Sequence, residues 1–269
     1  MQKVQIEKLS QYLDAIEQLK DYYKNVGSQL TFLYRGHSKE SYELLPGLFR
    51  QPVIAKKEKQ ILYSFIQEAS STVHIPTDNL VRWAEYAQHY GVPTRFLDWT
   101  KNPLVALYFA CKSGYDSNGK VWMLNVGNYN SKAFENIDEQ SNITILEIAK
   151  ELIEKDSNYE YPIQYTPYYV DPRMSAQSSF FMVWGSNHEP LEKMFSEERY
   201  AMTLRDKTGE LFEYLINRQE QLLFCFSIQA DQKKPLLLEL DTVGINEKTL
   251  FPGLDGIGRY VERKTQFIE

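Results

Sequence analysis

Cysteine is scarce, with only Cys111 and Cys225 in a chain of 269 residues. Both follow apolar or aromatic neighbours and form no metal-type spacing. A disulfide framework is therefore not the organising feature of this fold, and the low count fits a reducing compartment. Histidine is also sparse: the four residues at 37, 74, 89 and 188 are too scattered for a metal site, and neither His-x-x-x-His nor Cys-x-x-Cys occurs. No metal is expected. No apolar run approaches the roughly 20 residues that span a bilayer, and residues 1–7 lack the apolar stretch of a secretory signal. The expectation is a cytoplasmic protein with no membrane partner. Positive charge is not in excess either: the net charge of −6 argues against non-specific nucleic-acid binding, while leaving room for a local basic pocket. A phosphate-cradling Gly-rich loop, a nucleophile elbow, internal repeats and a Pro/Gly/Ser-rich linker are also missing.

What the chain does have is aromatic side chains, 19 Tyr and 14 Phe, enough for aromatic packing and an aromatic-walled groove. It also has two stretches that crowd polar chemistry into short turns. One is Leu33-Tyr34-Arg35-Gly36-His37; the other runs from Gln88-His89-Tyr90-Gly91 through Thr94-Arg95-Phe96-Leu97-Asp98-Trp99-Thr100 to Asn102-Pro103. Polar side chains at turns between rigid elements are where ligand chemistry usually sits.

Periodicity supplies the frame around them. Ile6, Leu9, Leu13 and Ile16 predict an opening helix over residues 5–24, and residues 29–35 read as a strand ending at Gly36. Helices are predicted over 55–72 and from Leu80 to Gly91, the second capped by Thr77 or Asp78 and stopped by Gly91 with Pro93 beyond. That places His89 and Tyr90 in a last helical turn. Asn102 followed by Pro103 starts another helix, with Leu104, Leu107, Tyr108 and Cys111 inward. Strands are expected at 120–126, 177–184, 221–228 and 235–240. Further helices are expected from Asn142 to Lys155, near 190–200 and at 209–217. The predicted class is α+β with mixed or antiparallel sheets and helical insertions. It reads as one domain over 1–269, with a motif core at 29–185 and C-terminal strands and tail at 186–269.

Tyr34-Arg35-Gly36, the Gln88–Gly91 and Thr94–Thr100 blocks, and the run Asn102 to Ala110 resemble the signature of the FRG domain family. So do Pro172-Arg173-Met174-Ser175-Ala176-Gln177 and the tail Thr249 to Gly256. The resemblance implies a bacterial or phage-borne protein of a toxin or antiviral defence system, acting with a partner protein of that system. A second similarity is to ADP-ribosyltransferases: a Tyr-Arg-Gly strand end whose arginine grips the NAD pyrophosphate, then Asp98-Trp99-Thr100 leading into Val105-Ala106-Leu107-Tyr108-Phe109. It implies an ADP-ribosyltransferase-like cleft, with NAD as substrate and a protein or nucleic acid as acceptor. The glutamate strand of those enzymes corresponds here to Gln177-Ser178-Ser179, which has the glutamine and lacks the glutamate.

Each candidate carries two readings. Arg35 presents a fork of donors suited to phosphate, or it closes the Gly36 turn with a salt bridge; Gly36 would let backbone approach a ligand. His37 reads as a surface histidine, or as a second polar wall of the site. His89 serves as general acid/base and ribose contact, or caps its helix. Arg95 and Asp98 brace the loop by pairing, or Asp98 is the carboxylate that position 177 lacks. Trp99 and Tyr90 are core anchors or stacking platforms. Thr94 and Thr100 complete the binding wall, and Arg173 and Gln177, four apart, face the cleft. Glu220 is a reserve glutamate or a solvated turn residue. Two other classes stay open: a metal-independent nuclease using His89 with Arg35 or Arg95, and a non-catalytic sensor of a nucleotide or phage protein.

Overall fold

Alternating apolar residues build a seven-stranded sheet in the computed structural model of the chain, ordered β1-β9-β4-β2-β3-β6-β5. The structure describes residues 3–25, 30–76, 78–133, 145–155, 159–169, 171–194, 199–205, 211–217 and 222–266. The strands of the sheet are β1 (Lys3–Ile6), β2 (Phe32–His37), β3 (Phe96–Thr100), β4 (Gly119–Asn125), β5 (Ile163–Tyr165), β6 (Ser179–Val183) and β9 (Leu223–Ile228). Only the β1–β9 pair is parallel; the others are antiparallel. Between β6 and β9, β7 (Arg199–Arg205) and β8 (Leu211–Asn217) form a separate antiparallel ribbon. The α+β class with mixed sheets is the observed one.

The helices are α1 (Leu9–Asn25), α2 (Pro52–Ala55), α3 (Glu58–Ala69), α4 (Leu80–His89), α5 (Pro103–Cys111), α6 (Val126–Ala133), α7 (Ile145–Glu154), α8 (Pro172–Ala176), α9 (Lys233–Thr242), α10 (Glu247–Leu250) and α11 (Leu254–Gln266). The local signals of α4 and α5 work as their chemistry dictates. Gly91 takes φ +81° after α4, a conformation that costs glycine nothing. Asn102 accepts from the Leu104 amide at 2.9 Å, with Pro103 in the first helical position.

Strand alternation sorts the core into layers. Leu33, Leu97, Trp99, Trp122, Leu124, Leu223 and Cys225 face one side and pack with Leu44–Phe49, Trp184 and Leu191. The opposite side is divided. On its β1-β9-β4-β2 half, Tyr34, Val121, Met123, Phe226 and Ile228 pack under α1, α5 and α9. On its β3-β6-β5 half, Phe96, Phe181, Val183 and Ile163 pack under α3, α4 and α7. Cys111 and Cys225 are both buried and are not joined in a disulfide. Among the described residues no helix is long and apolar enough to cross a membrane.

Several expectations need correction. The opening helix starts at Leu9, because Lys3–Ile6 pairs in register with Cys225–Ile228 as an edge strand. The first site strand begins at Phe32 and runs through Gly36 to His37, and Val126 opens α6 rather than ending β4. The N-cap of α4 is Asn79, which accepts from the Arg82 amide at 3.2 Å; Thr77 lies outside the described residues, as does Asn142. Pro235–Leu240 is helical: Leu236, Leu237 and Leu240 are buried in a 3.6-residue rhythm, and Pro235 sits in the first turn, where its missing N–H costs no bond. Leu211–Asn217 is a strand, and the described residues of the 190–200 region hold a 3-10 turn at Leu191–Lys193 and the start of β7.

Candidate functional site

The site follows from a break in the sheet. β2 and β3 share one bridge, Tyr34 opposite Thr100. Beyond it β2 stays on β4 through His37, and β3 stays on β6 back to Phe96. The two half-sheets therefore part at this seam, which is also where the α5-covered and α4-covered cores meet. A cavity of about 330 Å³ lies there, within the range of ligand pockets. Tyr34, Arg35 and Gly36 line one side, Asp98, Trp99 and Thr100 the other. Gln88 and His89 close it from α4, Arg173, Met174 and Gln177 from the α8 turn, and Phe109 and Phe251 supply apolar wall.

Arg35 shares the Leu33 face by alternation, yet its Nη1 crosses the seam to donate to the Asp98 carbonyl, and it lies 3.9 Å from Asp98 Oδ2. Its Nε donates to His37 Nε2 at 3.1 Å. Burial pulls the Arg35 guanidinium down to about 10, with Asp98 opposing, so it stays charged at neutral pH. His37 is only 3 % exposed, not a surface histidine. Burial, then Arg35, Lys120 and Arg50, push it down to about 2. It is a neutral acceptor that fixes the guanidinium.

Asp98 is the most open charged group of the wall, with its side chain 55 % exposed. Gln88 Nε2 donates to its Oδ2 at 2.8 Å, and Thr94 Oγ1 donates to Gln88 Oε1 at 2.6 Å. Thr94 thus acts through Gln88 rather than at the wall. His89 Nε2 lies 3.3 Å from Asp171 Oδ2, and the same aspartate caps α8 by accepting from the Arg173 amide at 2.7 Å. The Arg173 guanidinium reaches Asp255 of α11 at 3.4 Å. Gln177 donates from Nε2 to the Leu250 carbonyl at 3.0 Å, while its own carbonyl accepts from Thr100 Oγ1 at 2.7 Å. The following residue, Ser178, takes φ +47° to turn the chain into β6.

The structure brings Arg35, Gly36, His89, Asp98, Trp99, Thr100, Arg173 and Gln177 to one cavity. Trp99 packs in the core of the opposite face. Tyr90 is 66 % exposed beside the His89 ring, outside the cavity wall. Arg95 does not pair with Asp98: it forms a two-pronged bond to Glu58 (2.7 and 2.5 Å) and donates to the Trp184 carbonyl at 2.9 Å. Strand alternation sends positions 95 and 98 to opposite faces, which separates them. Gly36 is needed for packing, because a Cβ there would meet the Ala106 carbonyl oxygen of α5 at 1.9 Å. Glu220 lies outside the described residues.

Sequence reasoning missed the roles of Gln88, Asp171 and Phe251. Gln88 was in view as the neighbour of His89, and Asp171-Pro172 is a readable N-cap signature; Phe251 was in view only as part of the tail resemblance, and only the fold brings it here. Among the described residues no cluster of His, Cys, Asp and Glu could hold a metal ion. Residues 30–119 match the family described as FRG domain, a span that takes in Arg35, Gln88, His89 and Asp98 and stops short of Arg173 and Gln177. No curated protein and no solved structure matches the chain.

Proposed function

We propose that this chain, which carries an FRG domain, binds an NAD-like nucleotide in the seam cavity and acts on its glycosidic bond. The outcome would be ADP-ribosyl transfer or NAD hydrolysis, in the toxin or defence setting that the family resemblance suggests. One observation carries this reading: two guanidinium groups and a solvent-facing carboxylate line the same apolar-walled cavity. Arg35 and Arg173 suit the pyrophosphate. In the Arg173–Asp255 pair the carboxylate is exposed and the guanidinium partly so, so its exchange for an incoming phosphate costs little. Phe109, Phe181 and Phe251 give the nicotinamide an apolar seat. As the glycosidic bond breaks, its electron pair leaves with nicotinamide, and positive charge develops at the anomeric carbon. Asp98, held by Gln88, stands in for the glutamate absent at position 177 and offsets that charge. His89, oriented by Asp171, takes the proton of the attacking water or acceptor.

The test is nicotinamide release from NAD alongside calorimetric NAD binding. Asp98→Asn keeps the shape and removes the charge, and it should cut turnover by about 100-fold or more with affinity nearly unchanged. Wild-type protein that neither binds nor turns over NAD would sink the proposal. A second reading, nucleotide sensing without chemistry, is favoured by the Gln177 amide being engaged with the Leu250 carbonyl. Binding without turnover would establish it and remove the catalytic half.

A further inference from the structure

A second, larger cavity of about 650 Å³ lies away from the seam, between the α2–α3 junction, the end of α7 and the turn after β6. Its charge is opposite to that of the chain as a whole. Among its described lining residues are Lys56, Lys57, Lys59, Lys155 and Arg95, with Glu58 the one carboxylate, in a chain whose net charge is −6. Glu58 is already committed to Arg95. The four lysines are exposed, and no ion pair ties them to another described residue.

Helix stability does not account for the placement of three of them. Lys56, Lys57 and Lys59 sit just before or within the first turn of α3, where the helix dipole disfavours cations. Lys57, the N-cap, makes no side-chain capping bond. Beside the lysines is a flat surface: the exposed His188 ring stacks on Phe49 with centroids 4.0 Å apart and planes at 18°, and the Arg95 guanidinium lies 5.8 Å from the Phe49 ring. Burial and Arg95 lower the His188 pKa, so the outer face of this stack is a neutral ring at pH 7.

We propose that this groove binds single-stranded nucleic acid, with Lys56, Lys57, Lys59 and Lys155 on successive phosphates and the His188–Phe49 stack receiving a base. Spaced cations beside an exposed ring face are what a single strand requires, because its phosphates repeat and its bases are open to stacking. A duplex keeps its bases enclosed and cannot use the stack.

The experiment is fluorescence anisotropy of the full chain with a labelled RNA of about a dozen nucleotides, without NAD, so that its result is independent of the seam cavity. Four neutralised phosphates predict a slope of log affinity on log salt of about −3. The triple substitution Lys56→Glu, Lys57→Glu and Lys59→Glu changes exposed side chains, so the fold should hold, as a melting curve would check. It should weaken binding by at least tenfold and flatten the slope by about 2. His188→Ala should cost about tenfold with the slope unchanged. Three results would overturn the assignment: no binding at low salt, a triple variant as tight as wild type, or a duplex or polyglutamate bound as well as the single strand.

Discussion

Replacing Gly36 by alanine decides between two uses of that glycine. If the missing side chain serves close approach of a ligand, Gly36→Ala folds normally and binds weakly. The geometry says otherwise. The new Cβ would lie 1.9 Å from the Ala106 carbonyl oxygen and 2.7 Å from the Ala110 amide nitrogen, both backbone atoms of α5. Real contacts of this kind begin near 3.0 Å, so α5 must move by about 1.1 Å relative to β2. It has little room to do so. Val105, Ala106, Leu107, Tyr108, Ala110 and Cys111 are all buried, and the helix is clamped at its start by Asn102. Overpacking against flexible side chains costs about 1–3 kcal/mol, and rigid backbone belongs at the upper end. For a chain of this size about 3 kcal/mol lowers Tm by roughly 6–12 °C. Thermal unfolding followed by circular dichroism measures it. A variant melting within about 2 °C of wild type would refute the packing argument and return Gly36 to the ligand.

Arg95→Met should cost about 3 kcal/mol in urea unfolding, because it strands Glu58 at a partly buried site. Much of the loss should be recovered when Glu58→Leu is added, and nucleotide affinity at the seam should not change. Stability kept with binding lost would place Arg95 in a ligand site instead. His37 predicts a pH dependence. Its folded pKa is pushed from 6.5 to about 2, so the unfolded chain takes up a proton that the folded chain refuses. Its contribution is whole above 6.5 and is lost as pH falls through that window, by up to about 1.4 kcal/mol per pH unit. His37→Gln can still accept from Arg35 and should show a flatter loss of stability on acidification; parallel urea-unfolding curves for the two proteins would contradict this.

The fold was most legible where one or two residues set the local outcome. Asn102-Pro103 announces α5, and Gly91 with Pro93 ends α4, because caps and positive-φ turns depend on near neighbours. It was least legible in apolar runs whose burial is set by distant partners. Pro235-Leu236-Leu237-Leu238-Glu239-Leu240 suits a buried strand or a buried helix equally. Lys3–Ile6 carries too few residues to reveal a period, and becomes a strand because β9, more than two hundred positions away, offers it an edge.

The site divides in the same way. Arg35, His89 and Asp98 stood out because polar side chains gathered in short stretches that also hold glycine and proline point to ligand chemistry. Their partners did not, since His37, Asp171 and Leu250 acquire their roles only across the fold. The cavity itself is a property of register more than of any residue. It exists because β2 and β3 are joined at Tyr34 and Thr100 alone and diverge from there. Parity then does the rest: Phe96, Asp98 and Thr100 share the helix-covered face, while Leu97 and Trp99 enter the opposite core. A slip of one residue at that bridge would exchange the two sets, bury the Asp98 carboxylate in the opposite core and turn the Trp99 ring toward the seam. The two buried cores on either side of β3 resist that slip, so the packing that stabilises the strand also holds its one exposed carboxylate over the opening.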